Sequence, residues 1–515
     1  MLERGAREAP EKAAIRRRAG AKETEEIRYR RLWGEVKNAA ALILETLGTG
    51  KRVSILGENS YEWLLAFFAI LCSGNIAVPT DKELPAGEIG ALLSAVKTDA
   101  VFVSDACADR AEGPEGMRVL RLSDLRDARP ENGERPLPPE EPDAPAVILF
   151  TSGTSGKSKA VPLSRTNLFA AIRSACLTGD PEGEGVVAVL PFHHAFGLVH
   201  AVLAMLALQK TVFITQSLKH FQRDMRENRP DMIMLVPLFV ETLYKRLQST
   251  LRSQGKEARF RKAKRLSRLL LAFGIDRRRR IFREVLEAFG GSLKWIVCGG
   301  APLDPFYIRE FRDIGIGIMN GYGLTECAPG VAINRNYYYR DGSVGRAIPD
   351  MEVRVNEKGE LELRGPAVTK EYLGDPEATR EAFTEDGWFR TGDLGYVDRD
   401  GFIFLTGRLK NLIILANGEN ISPEELEAGL LRDAGVKEAL VYADGGVLAA
   451  EVLPEEEYRG NAEYFQALLR RVNTGRPLYK QLARISLREE AFIKNTSGKI
   501  VRAQNGADRR EKDHA

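Results

Sequence analysis

Short apolar, β-branched runs separated by stretches of helical period fill most of this chain, and that alternation constrains its fold more than any other feature. Leu32, Val36, Ala39, Ala40, Ile43 and Leu47 recur at helical spacing, and Arg52-Val53-Ser54-Ile55-Leu56 then reads as a strand. A helix is predicted from about 61 to 71, with further strands at 76–78, around Val101, and at 186–190, 211–214, 232–236, 293–297 and 314–319. This is the pattern of an α/β protein with largely parallel sheets, whose binding loops gather at strand ends. Past Asp350 the texture turns β-rich, with hairpin signals around Glu357-Lys358-Gly359 and short strands between Trp388 and Thr406. After a turn at Asn417-Gly418 comes Ser422-Pro423-Glu424-Glu425, a helix start: serine as N-cap, proline at the first position, glutamate closing a capping box. The expected organisation is a large domain over 1–409, of which 350–409 is a β-barrel-like subdomain, and a small α/β domain over 410–515.

Composition narrows the class. The 75 Lys and Arg nearly balance 72 Asp and Glu, so net charge alone names no partner, and nucleic acid is not expected. Five cysteines, odd in number and without a C-x-x-C pair, argue for a reducing, cytoplasmic setting over a disulfide framework. The N-terminus lacks the apolar core of a signal peptide. The longest apolar run, from Trp63 to Cys72, is half a membrane span and reads as a buried helix.

Chemistry concentrates in a few stretches. Phe150-Thr-Ser-Gly-Thr-Ser-Gly-Lys-Ser-Lys-Ala160 follows an apolar run with glycines, hydroxyls and two lysines, the means to wrap a phosphate chain. It is not a Walker loop, because Thr151 stands where the first glycine belongs. Asn320-Gly-Tyr-Gly-Leu-Thr-Glu326 offers an aromatic face, a hydroxyl and a carboxylate suited to Mg²⁺ beside phosphates. Arg390-Thr-Gly-Asp393 and Gly407-Arg408 supply a carboxylate acceptor and a guanidinium donor for ribose hydroxyls. Lys499 sits in Thr-Ser-Gly-Lys-Ile near the C-terminus, and His193-His194 follow Pro191-Phe192 with no acid or cysteine at ligand spacing nearby.

Together these stretches resemble, in order and over essentially the whole chain, the motifs of the adenylate-forming enzymes, and most closely the medium- and long-chain fatty acyl-CoA synthetases. Ser158 and Ala160 depart from the family's usual proline and glycine, while Lys159 keeps its place. The resemblance implies an ATP site at Thr151, Ser152, Gly153, Thr154, Ser155, Gly156 and Lys159, joined by Gly300, Ala301 and Pro302, by Asn320, Gly321, Tyr322 and Gly323, and by Asp393 and Arg408. It implies Tyr322 along adenine, Thr325 at the α-phosphate, Glu326 as the Mg²⁺ ligand and Lys499 as the main catalytic residue of adenylation. His194, Val236, Gly299, Gly300 and Gly323 would line the acyl pocket. Lys410 matches the hinge of a mobile C-terminal domain, and Gly418, Glu419 and Asn420 would line the thiol channel.

The implied reaction joins a carboxylic acid to AMP, then passes the acyl group to the thiol of coenzyme A or to the phosphopantetheine of an acyl carrier protein. The pocket strand Met232-Ile-Met-Leu-Val-Pro237 is apolar apart from Asp231 at its start, which favours a medium- or long-chain fatty acid over an amino acid. The basic segment 256–283, with Arg277-Arg-Arg-Arg280, fits either an anionic membrane surface or an acidic carrier; a solvated face over the acyl tunnel is the simpler reading.

Overall fold

The structure is a computed structural model that describes residues 1–20, 23–129, 136–139, 141–151, 158–179, 182–215, 217–415, 419–494 and 499–506. Two large sheets dominate it. One has six strands in the order Arg118–Arg121, Ala100–Val103, Arg52–Leu56, Ile76–Thr80, Pro145–Thr151, Lys159–Ser164, all parallel except the last, which pairs antiparallel with its neighbour. The other has nine strands, with a parallel centre of Gly317–Gly323, Trp295–Cys298, Met232–Leu235, Gly185–Ala188, Thr211–Ile214 and Ala13–Arg18 and antiparallel strands at both ends. The expected α/β class is therefore present, and its parallel strands point their carboxyl ends toward the loops that carry the motifs.

Helices Tyr29–Leu47 and Tyr61–Cys72 share one continuous core with residues of both sheets, among them Ile15 and Ile27 from one and Val53 and Ile55 from the other. Tyr61–Cys72 is apolar on every side because protein surrounds it on every side: nine of its residues, from Tyr61 to Ile70, are buried. Ser60 caps it by accepting from the Trp63 amide. Among the described residues no helix is long and apolar enough to cross a membrane.

Residues 352–408 form a four-stranded antiparallel sheet, Glu352–Val355, Glu360–Arg364, Phe389–Val397 and Ile403–Arg408. Beyond it, Ile413–Ile414 pairs with Asn420–Ile421, and Val436–Asp444, Val447–Pro454 and Leu482–Leu487 make a further sheet. A core of its own, from Ile413 to Leu482, holds this last part together.

Some expectations need correcting, beginning with strands 186–190 and 293–297, which run instead over Gly185–Ala188 and Trp295–Cys298. The strand expected at 314–319 runs instead from Gly317 to Gly323, because the amides of its motif end pair with the antiparallel strand Gly330–Ile333. Ile314 and Ile316 are buried in the turn before it. Helix Pro423–Leu431 does begin after Ser422 with proline first, but the capping box does not form: the Ser422 hydroxyl donates to Glu424 Oε2 at 2.7 Å and caps no amide.

Candidate active site

Asp393 is the best-determined member of the site. Register places it directly opposite Arg408 across the antiparallel pair Phe389–Val397 and Ile403–Arg408. Arg408 Nε donates to Asp393 Oδ1 at 2.7 Å, and the Tyr322 hydroxyl donates to Asp393 Oδ2, also at 2.7 Å. Asp393 is thus a strand residue with both oxygens engaged, and the two tripeptides that carry Asp393 and Arg408 form one unit. The Asp393 amide donates to Thr391 Oγ1 and the Gly392 amide to Glu360 Oε1, both at 2.9 Å, which fixes the backbone beneath the carboxylate. Burial, with the Asp393 charge beside it, holds the Tyr322 phenol well above its ordinary pKa.

Thr325 and Glu326 lie in the single turn Thr325–Cys327 between the hairpin strands. Gly323 is explained by that hairpin: a side chain there would run into the Pro329 carbonyl, with 1.8 Å between Cβ and oxygen. The Glu326 backbone carbonyl accepts from the Thr369 amide at 2.7 Å, and its Oε1 accepts from the Tyr372 hydroxyl at 2.8 Å. Burial raises the Glu326 pKa, opposed by Tyr372, Arg408 and Lys159. The Lys159 ammonium stands 4.4 Å from the centre of the Tyr372 ring. Thr151 and Lys159 are register partners at the end of their strand pair. Ser152, Gly153, Thr154, Ser155 and Gly156 fall outside the described residues, as does Gly418.

Lys499 joins this cluster from the far end of the chain. Lys499 as a residue reaches solvent, as at the mouth of an open cleft, yet loss of water around its ammonium and the nearby Arg408 lower its pKa, and Asp393 opposes them. The same ammonium acts on His194, whose pKa burial and His193 lower to about 4, so that the imidazole is neutral at pH 7. Asp393, Arg408, His194 and Lys499, spread over three hundred positions, are therefore near neighbours.

No acid stands at ligand spacing in the sequence, but the fold brings one to the histidines. Asp81, more than a hundred residues earlier, lies with Oδ1 3.4 Å from His193 Nε2. Asp81, His193 and His194 bring one potential ligand atom each within 4.8 Å of one another. Asn59 fixes the segment that carries them, donating to the Leu190 carbonyl at 2.8 Å and accepting from the Phe192 amide at 2.9 Å. A π-helical stretch, Phe196–Leu203, follows.

Gly300 has φ +86° and opens toward Val236, whose Cγ1 is 3.8 Å from where a Cβ would be, while Gly299 faces Phe196 and the Gly321 carbonyl. Ala301 and Pro302 lead from there to helix Pro305–Asp313. Lys410 lies in the turn Leu409–Asn411 between the two parts of the chain, and Glu419 and Asn420 are exposed on the hairpin beyond it. The sequence reading missed Tyr372, Asp81 and the clamp made by Asn59; only Asn59 carried a signal, since it lies in the Glu58-Asn-Ser-Tyr-Glu-Trp63 segment.

Residues 2–373 match the family described as AMP-binding enzyme. Long-chain-fatty-acid–CoA ligase FadD15 of Mycobacterium tuberculosis is 32% identical over 444 residues, 79% of this chain and 73% of the relative. Long-chain-fatty-acid–CoA ligase FadD13 of the same organism is 27% identical over 495 residues, 90% of each. The o-succinylbenzoate CoA synthetase of Bacillus subtilis, solved with its acyl-adenylate intermediate, superposes at a TM-score of 0.79 over 98% of this chain and 97% of that one at 23% identity, a likeness of fold. Fold, site and relatives define an adenylate-forming enzyme, and the chain belongs to the AMP-binding enzyme family. Within that family it is an AMP-forming acyl-CoA synthetase.

Proposed function

We propose that this enzyme activates a medium- or long-chain fatty acid with ATP and transfers the acyl group to coenzyme A. The observation that carries the reading is the convergence of Lys499 with Arg408, Asp393 and His194 in one cleft. In the first half-reaction a substrate carboxylate oxygen attacks the α-phosphorus of ATP and pyrophosphate leaves. The Lys499 ammonium is placed to meet the negative charge that builds on carboxylate and phosphate, and Arg408 and Lys159 add to the positive field. Asp393 offers its oxygens to the ribose hydroxyls, Tyr322 its ring to adenine, and Thr325 its hydroxyl to the α-phosphate. A half-buried carboxylate beside Lys159 and Arg408 fits a Mg²⁺ ion bound with phosphate, so Glu326 would hold the metal, which would neutralise phosphate charge when bound. The neutral His194 borders the acyl pocket with Val236, Gly299 and Gly300.

In the second half-reaction the coenzyme A thiol attacks the acyl carbonyl and AMP leaves. We assign residues 1–409 and 410–515 to two domains that pivot at Lys410, so that Gly418, Glu419 and Asn420 replace Lys499 at the cleft. The fatty acid is supported by the apolar strand Met232–Leu235 beside Val236 and by the substrates in the names of the two mycobacterial relatives.

The test is pyrophosphate release with MgATP across carboxylic acids from acetate to palmitate, with aromatic and amino acids, with and without coenzyme A. Turnover with fatty acids that requires coenzyme A is expected. A single turnover that coenzyme A does not rescue points to a carrier-protein acceptor. Lys499→Ala should abolish adenylate formation yet spare thioester formation from supplied acyl-adenylate; equal loss of both refutes the assignment.

A further inference from the structure

We propose that helix Glu257–Ala272 and the turn after it form a docking surface for an anionic phospholipid bilayer. The charge distribution is the first argument. Residues 256–283 hold twelve Lys and Arg against two acids, a net +10, while the whole chain is +3, so everything else sums to −7. The basic charge is local, and the rest of the molecule would repel the same membrane.

The second argument is where the apolar side chains point. The helix is fastened on one face: Phe260 is buried with its ring 5.5 Å from that of Phe282, Ser267 is buried, and Lys264 is held by Glu310 and Asp313. Leu266, Leu269, Leu270 and Phe273 follow at i, i+3, i+4 and i+7, the spacing of an apolar stripe, yet on the opposite side. Leu266 is 51% exposed, Leu269 57% and Phe273 75%, with Ile275 exposed beyond them. A core-packing helix has one such stripe turned inward; this one presents a second stripe to solvent.

Third, the cations are split between two tasks. Lys264 and Arg268 bind Asp313, Arg278 binds Asp276, and Arg279 donates to the Gly291 and Leu293 carbonyls. Arg261, Lys262, Arg265, Arg277 and Arg280 are exposed and make no ion pair among the described residues. They flank the apolar stripe at both ends. Leucine and phenylalanine with an arginine rim match the boundary of lipid headgroup and acyl chain, where apolar burial and attraction to anionic lipid act together. An acidic protein would satisfy the rim but needs its own apolar patch for the stripe.

The full-length protein is sedimented with vesicles of phosphatidylcholine alone and with vesicles carrying phosphatidylglycerol, at low and high salt. Binding to the anionic vesicles that weakens with salt is expected. The pairs Leu269→Asp with Phe273→Asp and Arg277→Glu with Arg280→Glu should each weaken it by about tenfold or more. Both should keep the wild-type circular dichroism and unfolding midpoint, because these side chains point away from the core. Absence of binding, equal binding to both vesicles, or binding untouched by either pair overturns the proposal. Loss of self-association in the variants without vesicle binding overturns it too, and gives the face to a second copy. The readout needs no substrate, so it fails or succeeds independently of the proposed reaction.

Discussion

Tyr372 stands between two charged groups of the site, its hydroxyl on Glu326 and its ring under Lys159. Because that hydrogen bond lowers the pKa of a carboxylate that burial raises, Tyr372→Phe should lift the Glu326 pKa further. As the proposed Mg²⁺ ligand, Glu326 must be ionised, so the acid limb of kcat/KM should move to higher pH. The KM for MgATP should rise several-fold while that for the acid stays constant. A pH–rate profile of both proteins checks this, and an unmoved acid limb would assign Tyr372 a packing role alone. The cost in stability should be about 1 kcal/mol, that of one hydrogen bond. Nothing in the sequence singles out Tyr372, because its partners lie 46 and more than two hundred positions away. Asp81 was invisible for the same reason: a single carboxylate after a strand becomes a histidine partner only when the six-stranded sheet delivers it there. Asp393 and Arg408 could be read because their motifs are local, and their pairing then follows from strand register alone.

The elements themselves were legible where a period repeats and less so where a chain leaves a sheet. Tyr61–Cys72 was read nearly to its ends because ten apolar positions in a row leave no alternative. The ends of strands 186–190 and 293–297 were misplaced, since Leu190 and Leu293 are as apolar as the strands they adjoin but are buried by loop packing. The last element is the one on which the site depends. Arg502 donates to both oxygens of Glu427 at 2.6 and 2.7 Å and to the Val441 carbonyl at 3.0 Å. Asn505 accepts from the Ile493 amide and donates to the Ile493 and Val501 carbonyls, all within 2.9 Å. These bonds anchor the chain on both sides of Lys499. Arg502→Ala leaves the Glu427 carboxylate without its cation in a site that already raises its pKa by burial. We expect a loss of roughly 3 kcal/mol, and adenylation to fall more than thioester formation from supplied acyl-adenylate. Arg502→Lys should recover only part, because one Arg502 nitrogen serves both Glu427 oxygens while the other holds the Val441 carbonyl, and a single ammonium cannot do both. Thermal unfolding and the two half-reactions, measured separately, check both; an unchanged unfolding midpoint would mean that the pair is not what holds this segment.

At the scale of the molecule, two ion pairs among the described residues join the C-terminal part to the rest outside the cleft. Arg432, on the C-terminal part, binds Asp304 at the start of helix Pro305–Asp313, and Lys245 binds Glu455 at 3.1 Å. Neither pair touches the reacting groups. Arg432 and Lys245 are 58% and 42% exposed, which limits each pair to about 1 kcal/mol or less. A weak latch suits an enzyme proposed to swing one domain between two half-reactions, because a strong one would trap the adenylation arrangement and slow the second step. The double variant Arg432→Ala with Lys245→Ala removes both pairs, and their loss should shift the balance between arrangements by about fivefold. Adenylation should slow by two- to fivefold on that scale, while thioester formation from supplied acyl-adenylate should hold or quicken. High salt should slow wild-type adenylation in the same direction and leave the double variant nearly unaffected, since exposed pairs are screened. Rapid-quench measurement of each half-reaction checks this. If both half-reactions slow together, the pairs serve folding and the latch is absent; if neither changes, the groups within the cleft alone hold the two parts in register.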